Sequence, residues 1–162
     1  RGGATAAEVG GEGGGSERVG GSAGAHRAGM VLATDWAGDF GLGVNPIAGA
    51  TLISGLYDLE PIRLCFANQW TRLDTAAAHR LSPIHHAPGT PCPVIVAWGG
   101  AETDEFRRQS QIYAEAVQAH GTPCTTIEIP GALHSGSRME LADGHSPLTP
   151  AVFAQAGLKL ET

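Results

Sequence analysis

The chain has 162 residues, 42% hydrophobic and 16% charged, the balance of one soluble domain with a substantial core. Its net charge of −6 and the lack of a basic stripe argue against a partner recognised through its phosphate backbone. No apolar run approaches the ~20 residues that cross a bilayer, and the N-terminal residues lack the apolar centre of a secretory signal, so the expectation is a cytoplasmic protein that engages neither nucleic acid nor membrane.

Ten of the 24 glycines fall within the first 24 residues, and Arg1–Arg18 offers almost no periodic apolar positions. Residues 1–18 read as a poorly ordered leader, with the ordered domain covering 19–162. In Gly20-Gly21-Ser22-Ala23-Gly24 a serine sits among small residues at the spacing that lets a strand reverse sharply into a helix and expose its hydroxyl. Larger flanking side chains would collide as the backbone turns, and the serine must accept a strained conformation. Glycine and serine also meet at Gly13-Gly14-Gly15-Ser16, so the pattern alone is equally a flexible linker. The context favours an elbow: an eroded strand at Glu17-Arg18-Val19 precedes it and a helix is expected over Ala25–Ala33.

Asp35–Pro46, with three glycines and a proline, reads as a connection. Ile47–Gly55 is a nearly continuous β-branched and apolar run, as a buried parallel strand requires. A short helix is expected over Thr75–Leu81. Pro93–Trp98 is a second buried strand, stopped by Gly99-Gly100. Over Asp104–His120 the residues Phe106, Ile112, Tyr113, Ala116 and Val117 mark one face of an amphipathic helix. Cys124–Ile129 is the next strand, stopped by Pro130-Gly131. Short helices follow at Ser137–Ala142 and at Pro147–Leu158, the latter capped by Ser146 with Pro147 at its first position. Strands alternating with helices predict the α/β class, a parallel sheet covered on both faces.

Functional groups in such sheets gather beyond the carboxyl ends of the strands. Ser22 stands after the first strand, Glu102 and Asp104 after the strand ending at Trp98, and His134 after the strand ending at Ile129. A serine hydroxyl is a weak nucleophile at neutral pH. It needs a neutral imidazole to take its proton and a carboxylate to fix that imidazole's tautomer. Ser22, His134 and an acid are therefore the candidate catalytic set, in the chain order serine, acid, histidine. Thr103 is a natural N-cap, which would place Asp104 and Glu105 in the first helical turn, where carboxylates serve the helix dipole. Glu102, ahead of that cap, is the chosen acid and Asp104 the alternative.

The remaining histidines read as local structure: His85-His86 in a proline-flanked loop, His26 and His79 on helices, His120 at a helix end and His145 beside a capping serine. Cys65, Cys92 and Cys124 are odd in number and widely spaced, which suggests inert thiols rather than a disulfide or zinc framework. No metal or cofactor is expected.

Four segments carry a resemblance: Gly21–His26, Ile53–Pro61 (ISGLYDLEP), Gly99–Ser110 (GGAETDEFRRQS) and Pro130–His134. With them the chain resembles the arylformamidase branch of the α/β-hydrolases, the kynurenine formamidases and their esterase-like relatives. The resemblance implies an α/β-hydrolase fold and hydrolysis of N-formyl-L-kynurenine to kynurenine and formate, or of a related aryl amide or ester. It places the nucleophile on Ser22, the acid on Glu102 and the base on His134, with the Ala23 N–H as an oxyanion donor. A carboxylesterase on short acyl or aryl esters, or an inactive fragment acting as a binding module, are the competing readings. The partner is a small-molecule substrate, and a homodimer stays open.

The sequence departs from this family in two ways. No HGG-type loop, the source of a second oxyanion donor, occurs between Arg1 and Val19, so the chain reads as the C-terminal portion of a hydrolase, with about a hundred residues short of the usual single-domain size. The Ser135-Gly136-Ser137 stretch after His134 is also more polar than the family pattern suggests.

Overall fold

The computed structural model describes residues 15–42, 46–86 and 92–159. The apolar runs of the sequence form the centre of a sheet, because parallel strands covered on both sides must be apolar along their whole length. Among the described residues, four strands, β1 (Ser16–Gly21), β2 (Ile47–Ile53), β3 (Val94–Gly99) and β4 (Cys124–Ile129), lie side by side in that order. All three pairings are parallel. Every residue of β3 is buried, and in β2 all but Ala48. The flanking strands are wetter: Val19 in β1 and Thr125, Thr126 and Glu128 in β4 are exposed.

Among the described residues, eight helices connect and cover these strands: α1 (Ala23–Leu32), α2 (Trp36–Phe40), α3 (Glu60–Leu64), α4 (Asn68–Thr71), α5 (Thr75–Arg80), α6 (Asp104–Ala119), α7 (His134–Ser137) and α8 (Leu148–Gln155). Successive strand residues point to opposite faces, and the core divides accordingly. On one face Ala25, Ala28 and Leu32 of α1 join Tyr113, Ala114 and Val117 of α6 over Leu52, Val94, Val96 and Trp98. On the other, Leu148 of α8 packs with Ile53, Ile95, Ala97 and Ile129. A ring stack fastens α6 to the loop after β2, with the centroids of Tyr57 and Tyr113 4.1 Å apart and the rings 3° from parallel.

Several boundaries differ from those expected. β1 starts at Ser16, so Ser16–Arg18 belongs to the sheet rather than to the leader. The Ser16 N–H donates to the Pro46 carbonyl at 2.8 Å, and backbone pairing of this kind needs no apolar side chains. Arg1–Gly14 lies outside the described residues. The connection from Asp35 contains α2. The Asp35 side chain caps it by accepting the Gly38 N–H at 2.8 Å, and Gly41, at φ 66°, ends it. Instead of one helix over Ser137–Ala142, α7 starts at His134 and a separate 3-10 turn spans Met139–Ala142. α8 begins at Leu148, whose N–H donates to Ser146 Oγ at 3.3 Å.

Candidate active site

The turn between β1 and α1 holds Ser22 at φ 55°, ψ −120°, a region that non-glycine residues occupy only when surrounding structure enforces it. The Ser22 N–H donates to the Ile53 carbonyl at 2.9 Å, and its carbonyl accepts the His26 N–H at 3.1 Å to open α1. The requirement for small neighbours is one-sided. A Cβ on Gly20 would stand 2.4 Å from the carbonyl carbon of Gly24, whereas one on Gly24 would meet nothing within 4 Å. Glycine is thus required at 20 because the helix backbone passes over it.

His134, at the start of α7, is brought to this turn from the far end of the sequence. Its Nε2 lies 3.0 Å from Ser22 Oγ, and its Nδ1 lies 3.2 Å from Glu102 Oε2. A carboxylate only accepts, so Nδ1 carries the proton and the Nε2 lone pair receives the serine O–H. The Glu102 side chain is fully enclosed, while the His134 side chain is 35% exposed. Asp104 stands apart. It occupies the first turn of α6, where it pairs with Arg107 and its side chain is 95% exposed. Thr103 is the N-cap of α6, with extended backbone, so Glu102 precedes the helix and turns back toward His134. The Phe106 ring stacks on the imidazole at 3.9 Å between centroids.

Ser54 holds the Glu102 carboxylate and Ser137 backs Ser54, and neither stands out in the sequence. Glu102 Oε1 accepts the Gly99 N–H at 2.9 Å and the Ser54 hydroxyl. Ser54 Oγ is in turn 2.9 Å from Ser137 Oγ, which also lies 3.0 Å from the His134 carbonyl. Counting protons fixes the direction of this chain: the Ser54 hydrogen goes to the carboxylate, and that of Ser137 is shared between Ser54 Oγ and the His134 carbonyl. Ser54 and Ser137 are both buried, and Ser54 has φ 51°. The unexpected polarity of Ser135-Gly136-Ser137 was the available sign. Its third residue points inward to this network.

The two longest segments of resemblance are bonded to each other. Gln109, buried on α6, accepts the N–H groups of Tyr57 and Asp58 at 2.6 and 2.9 Å, and Ser54 meets Glu102 beyond the ends of the two central strands. Ile53–Pro61 and Gly99–Ser110 therefore form one scaffold beneath the acid. A cavity of about 250 Å³ opens at Ser22 and His134. An apolar groove of about 500 Å³ runs past Phe106, lined by Leu56, Pro61, Ile62 and Phe66.

Five of the six other histidines are occupied elsewhere. His26 Nε2, His86 Nε2 and His120 Nδ1 each lie 2.8 Å from a backbone carbonyl, and His79 stacks on His85 at 4.1 Å. Burial pushes the thiols of Cys92 and Cys124 up to about 11, which keeps them protonated at neutral pH. Cys65, in contrast, is exposed, because it follows the short α3 at the surface.

Over 143 residues, 84% of the chain, the sequence is 35% identical to kynurenine formamidase of Salmo salar. It is 33% identical over 142 residues to kynurenine formamidase of Danio rerio. The chain is a kynurenine formamidase homologue of the α/β-hydrolase fold. This homologue spans about half the length of the curated relatives it matches, 48% and 47%. Among solved structures, esterase 2 of Thermogutta terrifontis superposes with a TM-score of 0.65 over 97% of the chain and 61% of its own, at 21% identity, a likeness of fold. No family model matches the chain.

Proposed function

We propose that this kynurenine formamidase homologue is a serine hydrolase of arylformamidase type, with Ser22 as nucleophile, His134 as general base and acid, and Glu102 as the carboxylate that orients His134. The observation that carries the reading is the hydroxyl–imidazole–carboxylate relay through 3.0 and 3.2 Å, which starts from a serine at a strained strand-to-helix turn and ends on an enclosed carboxylate. Ser22 Oγ attacks the formyl carbonyl of N-formyl-L-kynurenine as its proton passes to His134 Nε2. The Ala23 N–H, in the first turn of α1 where no intrahelical acceptor exists, donates to the oxyanion. The C–N bond then breaks with His134 protonating the departing arylamine. Water activated by the same imidazole clears the formyl ester, releasing formate and restoring the Ser22 hydroxyl. Glu102 stays bonded to Nδ1–H throughout and stabilises the imidazolium in both halves of the reaction.

The same relay serves ester cleavage, and the small cavity at Ser22 suits a short acyl group as well as a formyl group. Comparing kcat/KM for N-formyl-L-kynurenine and 4-nitrophenyl acetate on the intact chain separates the readings. The formamide is expected to be the better substrate. Turnover of the ester alone would favour a carboxylesterase, and turnover of neither by a folded sample would favour a binding module without catalysis.

A further inference from the structure

The cavity at the nucleophile carries one formal charge that the proposed chemistry does not use. Arg138 lines it together with Gly21, Ser22, His134 and Ser135. Its Cβ and Cδ lie 3.4 and 3.8 Å from where a Cβ on Gly21 would stand, so the side-chain stem crosses the residue just before the nucleophile. The ion pairs among the described residues engage Arg63, Arg107, Arg108 and His134, and Arg138 pairs with no carboxylate there. The acid of the site does not neutralise it either, since Glu102 is enclosed and held by His134, Ser54 and Gly99. The rest of the lining, Ile53, Ser54 and Ser137, is uncharged. A guanidinium with no ion-pair partner among the described residues, on a side chain that lines a reaction cavity, is a fork of donors matched to a carboxylate.

We propose that Arg138 forms an anion subsite of the Ser22 cavity that binds a carboxylate carried by the substrate, so that the site selects aryl amides or esters bearing an acidic side group over neutral ones. The proposal rests on the hydrolase reading for its role in turnover, while the subsite itself is a binding property. Charge-assisted bonding to a planar carboxylate anchors the substrate at a second point beside the scissile carbonyl and fixes its approach to Ser22. Because Arg138 is exposed, the interaction is screened by salt.

The test is calorimetric titration of the intact chain with L-kynurenine and with L-kynurenine methyl ester, which removes the carboxylate charge. The wild type is expected to bind the free acid about tenfold or more tightly than the ester. Arg138→Gln abolishes that preference, Arg138→Lys keeps part of it, and circular dichroism checks that both variants fold. Equal affinity for the two ligands, no binding of either, or a preference that survives Arg138→Gln would overturn the proposal. Ser22-dependent turnover of neutral 4-nitrophenyl acetate, measured alongside, tests the hydrolase reading separately. Turnover without a carboxylate preference sinks the subsite alone, and a preference without turnover sinks the hydrolase reading alone.

Discussion

Ser22→Ala is expected to lower kcat for N-formyl-L-kynurenine by about four to six orders of magnitude, the effect of deleting the nucleophile in the proposed serine relay. The substitution removes one oxygen and leaves the turn intact. Alanine fills no more space than serine, and the Ser22 N–H and carbonyl bonds to Ile53 and His26 are made by the backbone. The lost Oγ contact with His134 lies at a half-buried position, so the thermal midpoint should move by no more than a few degrees. Steady-state kinetics on a variant with an unchanged circular dichroism spectrum checks this. Equal rates in wild type and variant would remove Ser22 from the mechanism.

Glu102→Gln is expected to lower kcat by about a thousandfold to ten-thousandfold. Two effects combine. The negative charge that stabilises the imidazolium is gone, and a side-chain NH2 turned toward Nδ1 would force the other tautomer, with the proton on Nε2 facing Ser22. That tautomer cannot take the hydroxyl proton. Asp104→Asn separates this role from mere proximity. Asp104 is 95% exposed and pairs with Arg107 one helical turn away, a contact of about 0.2–0.5 kcal/mol, so kcat should stay within about twofold of the wild type. A large loss on Asp104→Asn with little on Glu102→Gln would reverse the assignment of the acid.

The strands and the chain order of the relay were legible because burial on both faces demands unbroken apolar runs, and because groups beyond strand ends share one rim of a parallel sheet. Thr103 marked the start of α6 and so set Glu102, which lies against His134, apart from Asp104 in the first helical turn. Other features left no one-dimensional trace. α2 hides in a glycine-rich stretch, although its Asp35 cap and Gly41 stop are both present. α3 and α4 are too short for periodicity to reveal. β1 extends back to Ser16 through backbone pairing with β2, to which side chains give no clue. Ser54 and Ser137 were invisible as a pair, since 83 residues separate them and only the fold brings both hydroxyls beneath Glu102. The steric need at Gly20 rather than Gly24 likewise depends on which backbone passes over which.

In the proposed relay His134 activates the Ser22 hydroxyl. Mass spectrometry of the folded chain after treatment with a fluorophosphonate probe tests it most directly, because such probes form a covalent adduct with an activated serine and release fluoride. One adduct is expected, on Ser22, formed far more slowly in His134→Ala. A folded chain that takes up no probe, or that carries it on another serine such as Ser54 or Ser135, would contradict it.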